Sequence, residues 1–260
     1  MKVSRLDYTF AVGRIRALEN RLIPRDVFLE SAEERDFSSA LKVLFDAGTF
    51  LEEMEEIKDT RKLDAFLQKE YQSLLQSTSG LFLEKKVFKV IEQENSPEDA
   101  LNLSQKAGYS FIVDYVRHRI DLGNLKMLAR AKYMELSQEK LESILMQGGF
   151  IQKEKIKGFY GLSYSDINEA LKYSPYFEEW SEAADAFQEE ESFVEMERRF
   201  EDFLMEYLRK ARYIVFGPEP IFTYVQSKKK ELDLFRMVGV GKINGVPTEI
   251  LKNRISETYV

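Results

Sequence analysis

The 260-residue chain has no cysteine, one histidine, one tryptophan and only six prolines. Without cysteine it has no disulfide, no thiolate ligand and no thiol nucleophile. One histidine falls short of a zinc ligand set, and it removes the pairings on which most nucleophilic relays depend. No run approaches the roughly 20 apolar residues of a membrane-spanning helix. The opening MKVSRLDYTF lacks the apolar core of a secretion signal. A chain with no direct transmembrane segment, kept in a reducing cytoplasm or in a hot one that selects against labile residues, is the expectation. There is no Gly-x-Ser-x-Gly elbow, and Gly239-Val240-Gly241-Lys242 lacks the spacing and the following Ser or Thr of a phosphate loop. No catalytic, cofactor-binding or metal-ligating residue is predicted.

What is present points to helices. Nineteen Phe and 13 Tyr within a 44% apolar composition supply a core, and 32% charged residues suit long solvated helices. The net charge of −7 and pI near 5.2 repel nucleic acid and anionic lipid, so no nucleic-acid partner is expected. The run Lys228-Lys229-Lys230 reads as a solvated face.

Along the chain, three- and four-residue apolar spacing predicts a first helix over Ser4–Leu22, with Leu6 and Phe10 on its inner side. Tyr8, Arg14 and Arg16 read either as a surface stripe or as a basic interaction face. Pro24 ends that helix and opens a short one, and Asp36 or Ser38 is available to cap the next. Glu52 to Glu56 is a solvated acidic turn, because consecutive carboxylates point around a helix and do not converge on a metal. Ser96-Pro97-Glu98-Asp99 has the order of a capping residue, a first-turn proline and acids. Asp121, with Arg117 one turn before it, reads as an ion-paired carboxylate, and His118 as a surface or boundary residue. Gly148-Gly149 closes a helix over Gln138–Gln147, Ser165 caps one over Asp166–Tyr173, and Met196–Arg212 is strongly helical. No strand alternation is visible. The fold expected is all-α.

Tyr213–Ile255 concentrates three prolines and four glycines, and Gly239 and Gly241 mark either a break in its long helix or a close helix approach. A displacement of 110 residues lays Asp121 on Glu231, Leu125 on Phe235, Lys126 on Arg236, Ala129 on Gly239, Lys132 on Lys242 and Leu141 on Leu251. This echo predicts two related modules, each a long helix, a turn and a short helix, within segments 1–150 and 151–260.

Phe216-Gly217-Pro218-Glu219-Pro220, then Tyr224, Lys228, Glu231, Arg236, Gly241-Lys242, Asn244 and Gly245, form a pattern that resembles the end of the C subunit of the archaeal and bacterial V-type (A-type) ATP synthases. Its eukaryotic counterpart is the d subunit of vacuolar ATPases. Asp121, Asn124-Leu125, Arg130 and Gly148-Gly149 resemble the internal repeat of that family, and Tyr8, Arg14 and Arg16 its first helix. The resemblance implies a funnel- or socket-like protein of repeated three-helix bundles. It implies a non-catalytic rotor adaptor between central-stalk subunits D and F and the membrane proteolipid ring, passing torque for proton or sodium transport. The chain would then be cytoplasmic and held at the membrane through the complex.

Family members usually carry three repeats where two are visible here, and Lys229 and Leu234 stand where an acid and an asparagine are common. These departures leave a second reading open, a divergent helical interaction module outside any ATPase. Gly217, Glu219, Tyr224, Lys228, Glu231, Arg236, Lys242, Asp121 and Arg130 are the candidate interface or brace residues. Tyr224, Lys228, Glu231 and Phe235 share one helical face, which either meets a partner or braces two helices.

Overall fold

The computed structural model describes residues 3–50, 54–93 and 95–260. Among them it is all-helical, with no strand. The helices are α1 (Thr9–Glu19), α2 (Arg25–Glu33), α3 (Phe37–Ala47), α4 (Thr60–Ser79), α5 (Lys85–Glu92), α6 (Pro97–Ala107) and α7 (Ser110–Tyr133). They continue as α8 (Gln138–Ile144), α9 (Lys153–Gly158), α10 (Tyr164–Leu171), α11 (Phe177–Glu190), α12 (Val194–Arg209), α13 (Glu219–Ile243) and α14 (Thr248–Arg254). Short 3-10 turns lie at Arg5–Tyr8, Met54–Glu56, Phe159–Gly161 and Lys210–Tyr213. Glu52 and Glu53 of the acidic cluster lie outside the described residues.

Local chemistry sets most helix starts, with some corrections to the sequence reading. Asp36 accepts the Ser39 N–H at 2.9 Å to cap α3, and Asp59 accepts that of Lys62 at 2.8 Å to cap α4. α10 begins earlier than expected, because Ser163 and Asp166 close a capping box and leave Ser165 inside the helix. Ser96 does not cap α6; its hydroxyl donates to Asp99 instead. α8 ends at Ile144, before the two glycines. In α1 the buried set is Ala11, Val12, Ile15 and Glu19, continuing inward from Tyr8, so Phe10 falls on the opposite side.

Packing divides the chain into two units, Met1–Glu84 with Met205–Val260, and Lys85–Leu204. The expected boundary between residues 150 and 151 falls inside the second unit. The reason is that α13 and α14 pack on α2, α3 and α4 from the other end of the chain. In this first unit Phe45, Phe50, Phe66 and Phe235 bring all six ring pairings to centroid distances of 4.9–5.9 Å. Each such pair adds roughly 0.5–1.5 kcal/mol beyond its buried area. Gly239 and Gly241 do not break α13. An added Cβ would lie 2.6 Å from Leu63 Cδ2 at Gly239 and 2.3 Å from Leu251 Cδ2 at Gly241, so the glycines admit neighbouring side chains.

The second unit wraps α7 with α8, α9, α10 and the fully buried Tyr176 and Trp180. Leu122, Leu125, Leu128 and Ala129 form the inward stripe of α7.

Local geometry in the two units coincides at the 110-residue spacing. α7 and α13 end at Tyr133 and Ile243, and α8 and α14 span Gln138–Ile144 and Thr248–Arg254. Leu136 N–H donates to Ala131 O at 2.9 Å, and Val246 N–H donates to Gly241 O at 2.9 Å. The residues within those turns, Glu135 and Gly245, both take positive φ, of 51° and 65°. That left-handed conformation is easy for glycine and costs glutamate about 1 kcal/mol.

Candidate functional site

The two long helices each bury a carboxylate near their midpoint. Asp121 of α7 is completely buried and Glu231 of α13 is nearly so. Asp121 accepts the backbone N–H groups of Phe150 at 2.8 Å and Ile151 at 3.1 Å, and the Tyr176 hydroxyl donates to it at 2.8 Å. Gly149 makes this approach possible, since a Cβ there would lie 1.9 Å from Asp121 Oδ1. Tyr176 gives its one proton to Asp121, so its oxygen accepts from Nδ1 of His118 at 2.7 Å. His118 is therefore a buried link in a polar chain, where a surface or boundary position was expected of it. Burial pushes the Asp121 carboxyl up, against the hydrogen bonds from Tyr176, Phe150 and Ile151 and the charge of Arg117. Burial and the neighbouring carboxylate push the Tyr176 hydroxyl far up as well, keeping it a donor.

The expected ion pair between Asp121 and Arg117 is not formed. Arg117 donates to the carbonyl of Gly148 at 3.2 Å and lies 4.5 Å over the Phe150 ring. Both partners serve the same loop: Asp121 takes its amide protons and Arg117 its carbonyls. Asn124 extends the seam, accepting the Met146 N–H and donating to the Met146 carbonyl, each at 2.8 Å. Sequence spacing identifies Asp121, Asn124 and the glycines, while Tyr176 lies 55 positions away and carries no local signal.

Glu231 repeats the device with different donors. It accepts the Ile23 N–H at 2.9 Å, just before α2, and pairs with Lys228 one turn earlier. Burial raises its carboxyl, opposed by the charge and hydrogen bond of Lys228 and the Ile23 amide. Tyr224 on the same face is buried and pushed up to about 12, by desolvation first and the charge of Glu231 second. The C-terminal lysines also correspond. Lys132 donates to the carbonyls of Tyr160 and Leu162, and Lys242 to that of Glu34, each at the end of the helical segment that follows the anchored amide. Farther back, Lys126 pairs with Glu201 and Arg236 with Asp64.

The remaining sequence candidates separate by burial. Gly217 holds φ at +113°, where an added Cβ would meet Glu219 Oε2 at 2.3 Å and Arg5 Nη2 at 2.8 Å. Glu219, buried in the first turn of α13, accepts from Arg5 Nη1 at 2.7 Å. Arg130 and Arg236 are exposed and ion-paired to Glu197 and Asp64. Tyr8 is buried and accepts the Glu84 N–H, while Arg16 donates to the carbonyls of Ala211 and Ile214. Of that expected surface set only Arg14 faces solvent.

An open cleft of about 450 Å³ is lined by Phe150, Lys155, Tyr173, Pro175 and Tyr176 among others. The Tyr176 hydroxyl is engaged with Asp121 and His118, neither of which lines the cleft. Among the described residues no three or more His, Cys, Asp or Glu come together as a metal site, and no helix is long and apolar enough to cross a membrane.

Comparison with known proteins places these features in one family. The chain is 24% identical over 157 residues to the C subunit of the V-type sodium ATPase of Enterococcus hirae, covering 60% of this chain and 47% of that protein. It is 23% identical over 266 residues to the C subunit of the A-type ATP synthase of Methanocaldococcus jannaschii, covering 99% of this chain and 60% of that one. A third relative, the corresponding A-type ATP synthase protein of Archaeoglobus fulgidus, is 26% identical over 157 residues, 60% of this chain and 44% of that protein. The chain thus spans about half the length of the curated relatives it matches. The sequence model of the family described as ATP synthase (C/AC39) subunit matches residues 96–254, from the start of α6 to the last turn of α14. With more than half of its length under that model, the chain belongs to the ATP synthase (C/AC39) subunit family.

Proposed function

We propose that the chain is a non-catalytic rotor adaptor of a rotary V/A-type ATPase, joining the central-stalk subunits D and F to the proteolipid ring of the membrane domain. The observation that carries this reading is the family match over residues 96–254. The geometry supports a part that transmits torque, because such a part must resist twisting. Each long helix runs about 36 Å. Each is held near its middle by a buried acid on a loop amide and at its C-terminal end by a lysine on a backbone carbonyl. In this reading Asp121, Glu219, Tyr224, Lys228, Glu231 and Lys242 are braces, Gly217 admits the Arg5–Glu219 pair, and exposed Arg130 and Arg236 are available to a partner. The protein would be cytoplasmic and would reach the membrane only through the complex.

We read the two units as copies of one bundle module, the first closed across the chain ends. Its long and short helices (α13, α14) come after the helices they anchor (α2, α3), whereas in the second unit α7 and α8 precede α9 and α10. Co-purification tests the adaptor reading. The tagged chain is expected to retain both stalk subunits and the detergent-extracted ring, and failure to bind either would sink the proposal.

A further inference from the structure

Among the described residues of its own unit, nothing packs on the outer face of α1. Phe10, Gly13, Arg14 and Ala17 fall on one side of the helix at i, i+3, i+4 and i+7, and all are exposed. Phe10 is 78% exposed, Leu6 just before it 61%, and an added Cβ at Gly13 would meet nothing within 4 Å. Along one edge runs the segment 213–216, held by Arg5 of the preceding 3-10 turn on the Phe216 carbonyl at 2.7 Å and by Arg16 of α1 on the Ile214 carbonyl at 3.0 Å. That segment adds Tyr213 at 88% and Val215 at 65% exposure. Within one unit, therefore, Leu6 and Phe10 are exposed beside a segment that exposes Tyr213 and Val215, and such exposed apolar side chains mark an interaction site.

Its charge identifies the partner. Arg14 and Arg21 are exposed, and among the described residues neither makes an ion pair. Nearby Asp7 is turned back onto the Ser4 N–H, and Glu19 is buried against Arg16. A chain of net charge −7 thus presents an apolar strip whose free charges are both positive. Gly13 and Ala17 leave a notch that lets a second helix approach to the short end of the usual 8–10 Å spacing, which a lipid surface would not use.

We propose that this face of α1 docks a helix of another protein, one carrying an apolar stripe flanked by aspartate and glutamate. The inference goes beyond the rotor reading and stands whether or not that reading holds, since it concerns one surface and its chemistry.

The test uses the full chain and two synthetic helical peptides of about 20 residues with the same leucine stripe, one flanked by glutamate and one by lysine. Fluorescence anisotropy at low salt is expected to show the glutamate peptide binding at least about tenfold more tightly. Phe10→Asp should abolish that binding, and the double change Arg14→Glu, Arg21→Glu should reverse the preference. All variants should melt with the wild type, because the altered side chains are exposed. Equal binding of the two peptides, or binding indifferent to Phe10→Asp, overturns the proposal. So does a dimer in sedimentation velocity that Phe10→Asp dissolves, or tighter binding to phosphatidylserine vesicles than to the glutamate peptide. Failure to hold stalk or ring would sink only the rotor reading.

Discussion

Asp121 and Glu231 occupy corresponding places in two long helices, and each holds the amide that leads into a following helix. They differ in how their charge is satisfied. Asp121 is met by two backbone N–H groups and a tyrosine hydroxyl, with its cation one shell away on the carbonyls of the same loop. Glu231 meets one N–H and a lysine on its own helix. The shorter side chain needs the loop to come to it, and Gly149 permits that. The longer one reaches across and carries a local counter-ion. A buried carboxylate can thus be held by neutral donors or by a lysine, with the same outcome for the backbone.

The largest expected effect comes from removing each acid. Asp121→Ala strands two buried amides and a phenol, and should cost about 4 kcal/mol in urea unfolding. Glu231→Ala should cost less, about 2–3 kcal/mol, because Lys228 stays about an eighth exposed and can turn to water. Equal losses would show that the lysine is as confined as the amides.

A pH series sharpens the same comparison. Burial raises both carboxyls, so the folded state holds their protons more tightly than the unfolded chain does. The stability this brings is complete below about pH 4 and is lost as pH climbs through the raised native value. The stability advantage of wild type over Asp121→Asn should therefore shrink as pH rises above about 4. An advantage that grows with pH would mean the three hydrogen bonds to Asp121 outweigh its desolvation.

Smaller effects distinguish the packing of the two helices. Gly239→Ala gains helix propensity but drives a methyl into the fully buried Leu63, for a net loss of about 1 kcal/mol. Its counterpart Ala129→Gly should also cost about 1 kcal/mol, here through backbone entropy. Opposite substitutions at corresponding sites would both destabilise, and thermal unfolding of the pair checks it. Smallest of all, Arg236→Ala and Arg130→Ala remove exposed ion pairs and should each change stability by about 0.5 kcal/mol or less.

Much of the molecule is legible in its sequence, and the failures share a cause. The all-helical fold and a cap at Asp36 or Ser38 follow from spacing along one segment, and the correspondence of Asp121 with Glu231 follows from the likeness of two segments. His118 escapes such reading because a histidine among arginines looks solvated until Tyr176, 58 residues away, is brought against it. Phe10 reads as inward because apolar spacing counts residues without knowing that Tyr8 is the one the core receives. Arg117 lies one turn from Asp121 and so looks like its partner, whereas the carbonyls of a distant loop claim the guanidinium.

By itself the amino-acid sequence determined that the chain is helical, roughly where its helices lie, and that Asp121 and Glu231 correspond at a spacing of 110 residues. The helices depend on hydrogen bonds within a few residues and on the 3.6-residue period. Only the tertiary structure decided that both acids are buried, which amide each acid holds, that the last long helix packs on helices from the beginning of the chain, and which side of α1 its own unit buries. Those outcomes depend on which distant segments exclude water from one another, and residues far apart in the chain carry no local trace of that choice.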